Sequence, residues 1–140
     1  MRSTVQWLEN VAFEAKSESG HSVMMDGSPA YGGENRGARP MELILMGLGG
    51  CASFDLVTIL KKARQDVTDV QCQLQAERAD AVPAVFTKIH LHFVVTGKGI
   101  KEKQVAKAIE LSADKYCSAS KMMSEGGVEI THDFEIIEAE

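Results

Sequence analysis

The stretch Pro40-Met41-Glu42-Leu43-Ile44-Leu45-Met46-Gly47-Leu48-Gly49-Gly50-Cys51-Ala52-Ser53-Phe54-Asp55-Leu56-Val57-Thr58-Ile59-Leu60, running on to Gln65, decides how this chain folds. Pro40 suits the first turn of a helix, where its missing N–H costs nothing. From Met41 to Gln65 the pattern is helical, but the apolar residues lie all around the axis rather than on one stripe. Such a helix has to be covered on every side. One small sheet covers one side and a second helix part of another, which leaves a partner subunit as the natural remainder. Gly47, Gly49 and Gly50 together cost about 2–3 kcal/mol of helix propensity relative to alanine. They flank Cys51, so a close backbone approach near that thiol is the expected compensation.

Upstream, residues 5–26 read as two or three short strands, with Val5, Trp7, Val11, Phe13 and Ala15 at alternating positions and a turn at Ser19-Gly20. Residues 26–39 form a long loop with four glycines and a proline, the kind of loop that is often functional in a compact domain. It carries Arg36 and Arg39 up to the helix. Downstream, Val70, Cys72, Leu74 and Ala76 alternate with glutamines and a glutamate, and Ile89, Leu91, Phe93 and Val95 alternate with outward His90 and His92. The short link between these two strands predicts an antiparallel pair. Ile100 to Tyr116 is helical, with an inner stripe of Val105, Ala108, Ile109, Ser112 and Tyr116. Another helical turn or two follows from Ser118 to Glu125. A last strand presents Val128, Ile130, His132, Phe134 and Ile136 on one face. Segregated strands and helices predict an α+β fold with mainly antiparallel pairing, as one domain over residues 1–140.

The 140 residues can bury roughly 70% of their unfolded surface, which suits a single core. Fifteen basic residues against 20 acidic ones give a net charge of −5, and no basic block occurs, which argues against nucleic-acid binding. The apolar run from Leu43 to Phe54 is 12 residues long, too short to span a bilayer. The N-terminus lacks the apolar core of a signal peptide. These features predict a soluble cytoplasmic protein with no membrane partner.

Three widely spaced cysteines, Cys51, Cys72 and Cys117, do not make a disulfide scaffold, and no paired Cys/His spacing announces a metal. Cys72 sits on an apolar strand face and reads as core. Cys51 and Cys117 read equally well as buried thiols or as thiols tuned by their surroundings. A reactive thiol needs an electropositive, partly open site, and the nearby sequence offers only the loop pair Arg36 and Arg39. His90 and His92 read as solvent-facing rather than as a metal pair, and His132 as a hydrogen-bonded core histidine.

Three motifs together resemble one family. Arg39-Pro40-Met41-Glu42-Leu43, Gly47-Leu48-Gly49-Gly50-Cys51 and Lys115-Tyr116-Cys117-Ser118 are similar to the OsmC/Ohr proteins (osmotically inducible protein C and organic hydroperoxide resistance proteins). The segments Glu77-Arg78 to Pro83 and Ile89-His90-Leu91-His92-Phe93 to Gly97 resemble the YhfA-like branch of that family. The resemblance covers nearly the whole chain. It implies an OsmC-like fold, with antiparallel sheets wrapped around a long buried central helix, in an intertwined homodimer with two sites at the subunit interface.

In function, the resemblance implies a thiol-dependent peroxidase acting on organic hydroperoxides, with no bound cofactor and no metal. Cys51 would be the peroxidatic thiol and Cys117 the resolving one, with Arg39 and Glu42 in supporting roles. An external dithiol, a lipoyl group in some branches, would reduce the resulting disulfide. One departure stands out. The glutamate that lies ten residues before the reactive cysteine in peroxidase branches is replaced here by Met41. Glu42, nine residues before Cys51, is turned about 900° along the helix and so faces the opposite way. Asp55, four residues after Cys51, shares its face. These departures keep two other readings open on the same fold: a small-molecule or acyl-chain binding protein, and a dithiol redox sensor.

Overall fold

A computed structural model describes residues 1–140, which fall into two compact units, 1–44 and 45–140. In the first unit, strands β1 (Ser3–Glu9), β2 (Ala12–Ser17) and β3 (Ser22–Met25) form an antiparallel sheet in that order. Val5 and Trp7 pair with Ala15 and Phe13, so the alternating apolar positions read from sequence share one face. The 26–39 loop follows, with a single 3-10 turn at Pro29–Tyr31. It closes tightly on itself and on the sheet. A Cβ on Gly33 would stand 2.0 Å from the Gly27 carbonyl oxygen, and one on Gly37 would stand 2.3 Å from that of Met24. Only glycine fits at either position.

Helix α1 (Pro40–Lys62) starts at the end of this loop. The Arg39 carbonyl accepts the first intrahelical bond from Leu43 at 3.1 Å. The Glu42 carboxylate reaches back to the Arg39 N–H at 2.8 Å, as an acidic residue at the third helical position of a capping box does.

In the second unit, β4 (Asp66–Arg78), β5 (Phe86–Lys98) and β6 (Glu129–Glu138) form a sheet with β5 in the centre. Ile89, Leu91, Phe93 and Val95 are buried on its inner face, as their alternation predicts. The β4–β5 pair is antiparallel as expected, but β5 and β6 run parallel, so the sheet is mixed. The reason is the connection. Between β5 and β6 the chain makes α2 (Glu102–Leu111), a π-helical turn (Ser112–Tyr116) and α3 (Ser118–Glu125), a crossover that returns it to the starting end of β5.

Two further expectations, that the apolar stretch is too short to span a bilayer and that Tyr116 faces inward, need correction. In the isolated chain α1 is buried on one stripe, not all round. Leu48, Ala52, Leu56 and Leu60, spaced four apart, are 0–1% exposed, while Phe54 is 73% exposed, with Ile44 and Met46 also outside. By length and composition the whole of α1 could cross a membrane, because the helix runs on past the 12-residue run counted from sequence. Its buried i, i+4 stripe is that of a core helix. Tyr116, expected on the inner stripe of the second helix, is exposed instead. The π turn inserts a wider turn just before it and rotates it outward.

Among the three helix glycines, only Gly49 compensates its propensity cost by close packing. A Cβ there would lie 2.7 Å from Leu74 Cδ1 on β4, whereas Gly47 and Gly50 face open space.

Candidate dithiol site

Cys51 follows Gly49-Gly50 at the point where α1 lies against β4, and its side chain is half-buried. The π turn brings the second cysteine to it. The Ser112 carbonyl accepts from the Cys117 N–H at 2.8 Å, and the Ser112 hydroxyl donates to the Ala52 carbonyl, also at 2.8 Å and fully buried. Ser112 therefore ties the Cys117 segment to α1 one residue from Cys51. Local helix widening of this kind often marks functional positions.

Cys117 is 2% exposed and caps α3 with its sulfur, which accepts the Ser120 N–H at 3.4 Å. Cys51 on α1 is its neighbour. Burial pushes the Cys117 thiol up to about 11; the Ser120 N–H works against this, and the neighbouring Cys51 adds to the rise. Cys72 is separate from this pair. It is half-buried on β4, burial pushes its thiol up to about 11, and the Ser53 side chain partly offsets the shift. All three cysteines are free thiols.

One turn beyond Cys51 on α1, a cleft of about 260 Å³ opens between Asp55, Thr58, Ile59, Lys62, Leu111 and Tyr116. Asp55 lies there, on the Cys51 side of the helix as its spacing predicts. Its lining is mostly hydrocarbon, closed by one carboxylate and one ammonium group. The sequence did not single it out, because exposed Tyr116 joins it only through the π turn.

In the first unit the two loop arginines have different fates. Arg36 is surrounded by carboxylates, at 3.2 Å from Glu9, 3.5 Å from Asp26 and 3.7 Å from Glu34. Asp26 is the organiser of the loop. Its buried carboxylate accepts the N–H groups of Gly27 at 2.7 Å and of Glu34 and Arg36 at 3.1 Å. Burial alone would raise its pKa, but these N–H groups and the Arg36 guanidinium outweigh burial and hold it below the usual carboxylate range. Arg39, by contrast, donates to the Asn35 side-chain carbonyl at 2.7 Å and the Gly37 carbonyl at 3.1 Å. Both acceptors are neutral, so the Arg39 charge is left free to meet an anion. Glu42 holds the Arg39 backbone, not its guanidinium.

The remaining histidines are structural in their surroundings. His90 and His92 face outward, and both bond one oxygen of Asp133, at 2.9 and 2.6 Å. His92 and His90 in turn hold the Asp133 carboxyl below its usual range. His132 is half-buried at the rim of β6 rather than in the core, and lines an open cleft with Asp114, Ser120 and Lys121.

The fold is mixed α+β around a long helix, and Ser112 holds the Cys117 segment to that helix one residue from Cys51. The chain belongs to the OsmC-like protein family, whose model matches residues 32–133. It is 45% identical over 139 residues to Protein YhfA of Escherichia coli strain K12, covering 99% of this chain and all of that one. Among solved structures, a hypothetical protein from Aquifex aeolicus VF5 is 28% identical with a TM-score of 0.86, covering 99% of this chain and 97% of that one. An organic hydroperoxide resistance protein from Elizabethkingia anophelis has the same fold at 20% identity and a TM-score of 0.69, over 95% and 94% of the two chains.

Proposed function

We propose that this protein is a cytoplasmic, thiol-dependent peroxidase that reduces organic hydroperoxides, in which Cys51 is the peroxidatic and Cys117 the resolving cysteine. The observation that carries the reading is the tie through Ser112, which holds the Cys117 segment to α1 one residue from Cys51, with Cys72 apart on β4. The Cys51 thiolate attacks the terminal oxygen of the hydroperoxide and breaks the O–O bond. Cys51 becomes a sulfenic acid and an alkoxide leaves. Cys117 then attacks the Cys51 sulfur, the two form a disulfide, and water is released. A small external dithiol, such as a lipoyl group, restores both thiols by exchange. The largely apolar cleft beside Asp55 and Tyr116 supports an alkyl substrate.

Arg39 is assigned the stabilising cation, because its guanidinium has no carboxylate partner whereas that of Arg36 has three. Glu42 supports it by fixing its backbone at the helix start. The working form is a homodimer in which a second copy covers the exposed side of α1. Arg39→Ala is expected to slow oxidation of Cys51 by an alkyl hydroperoxide about 10²-fold, the usual effect of removing one donor to a developing oxyanion. Arg36→Lys, which keeps a cation beside Asp26, should stay close to wild type in the same stopped-flow assay. A wild-type rate for Arg39→Ala would remove Arg39 from the site. A binding role without catalysis is favoured by Asp55, a half-buried carboxylate on the face of Cys51. It would show as a co-purified ligand in native mass spectrometry together with unreactive thiols.

A further inference from the structure

We propose that the groove between β6 and the crossover helices α2 and α3 binds an aliphatic polyamine, with one ammonium group seated at Ser120 and the others along the carboxylates of α2. Such a site uses neither thiol and stands apart from the hydroperoxide chemistry.

Two clefts, of about 270 and about 630 Å³, meet at Asp114 and His132, which line both. In the smaller one, Ser120 is 5% exposed, yet its hydroxyl makes no hydrogen bond within the chain. Only its backbone N–H is used, by the Cys117 sulfur. The hydroxyl is not sealed in, because every enclosed polar side-chain atom of this protein has a partner. It therefore opens into the cleft, where a buried polar group still requires a hydrogen bond. Half-buried His132 beside it has no partner for either ring nitrogen. A primary ammonium carries three N–H donors and no acceptor. Asp114, Ser120 and His132 offer it a carboxylate, a hydroxyl and an imidazole nitrogen around one cleft.

The larger cleft continues the match. Glu102 and Glu110 follow on from Asp114 along its helical edge, and none of the three is in an ion pair. Glu102 and Glu110 are separated by about 12 Å along the axis of α2. Ala106, Ile109 and Phe134 supply hydrocarbon between them.

That alternation of charge and hydrocarbon suits ammonium groups joined by methylene segments. A metal ion does not fit, because no three carboxylate, imidazole or thiol groups of the protein come together to hold one. A basic peptide fits less well. Its backbone carbonyls need donors, and the one ammonium group of the groove, Lys121, is already held by Glu125 at 3.5 Å. A polyamine brings donors alone to a lining made chiefly of acceptors, and its bonds to carboxylates are charge-assisted.

Isothermal titration of the full chain with spermidine, at physiological ionic strength, tests the site. One spermidine per chain is expected to bind. Asp114→Asn and Ser120→Ala should each weaken binding about tenfold, the usual result of removing one acceptor from a charged donor. Because Ser120 is buried, Glu110→Gln on the surface of α2 serves as the variant that leaves packing intact, and it should weaken binding similarly. Glu77→Gln, which removes the same charge from β4 outside the groove, should bind as wild type does. Absence of binding, equal weakening by Glu77→Gln, or displacement by an equal charge of Mg²⁺ would overturn the site. Each would leave only the general attraction of cations to a chain of net charge −5. Trilysine binding more tightly than spermidine, and losing affinity in the same groove variants, would overturn the polyamine in favour of a basic peptide.

Discussion

Cys51→Ala is expected to abolish thiol-dependent hydroperoxide turnover, because the two remaining thiols are almost wholly protonated at neutral pH. The reason lies in their surroundings. Burial pushes both Cys72 and Cys117 up to about 11. At pH 7 a thiol of that pKa is ionised to about one part in 10⁴, and the thiolate is the nucleophile. Coupled assay of alkyl hydroperoxide consumption with excess dithiol measures the loss directly. Cys72→Ala, in the same assay, should leave turnover unchanged. Retained activity in Cys51→Ala would mean that another group does the chemistry.

The second large effect is on stability. Leu56 is fully buried on the stripe that holds α1 to the rest of its unit, so Leu56→Ala should cost about 2–5 kcal/mol, read as a lowered urea midpoint. Phe54, two residues earlier and 73% exposed on the chain, contributes almost nothing to that stripe. Under the proposed homodimer it lies where the second copy would cover the helix. Phe54→Asp is therefore expected to keep native circular dichroism while halving the mass seen by sedimentation. An unchanged mass would contradict the proposed dimer surface.

The parts of the fold that depend on local periodicity were legible. Alternation placed Ile89, Leu91, Phe93 and Val95 inward, and Pro40 marked the start of α1. The parallel β5–β6 pair was hidden because strand polarity depends on which end of the sheet a connection returns to, and alternation is identical for both directions. The π turn was equally invisible. One residue of extra winding at 112–116 sends Tyr116 outward, and no single residue type signals it. The two glycines flanking Cys51 looked alike in sequence, yet only Gly49 meets Leu74, because a glycine's reason lies in what approaches it from elsewhere in the chain.

Within the site, the cysteine motifs were recognisable, but the division of labour between the arginines was not. It depends on Asp26, ten residues from Arg36 in sequence, and on Asn35, whose neutral carbonyl leaves the Arg39 charge free. A Gly-rich loop hides such contacts, since its backbone geometry is set by turns and not by a period. Glu42 illustrates the converse. The resemblance gave it a supporting role, and its bond to the Arg39 N–H shows it to be the capping residue of α1.

The most direct test of the central claim is a count of free thiols with peptide mapping, before and after a slight excess of an alkyl hydroperoxide. The account predicts rapid loss of two of the three thiols, a single Cys51–Cys117 bridge, and an untouched Cys72. Survival of all three thiols, or slow oxidation of Cys51 without a bridge, would contradict it.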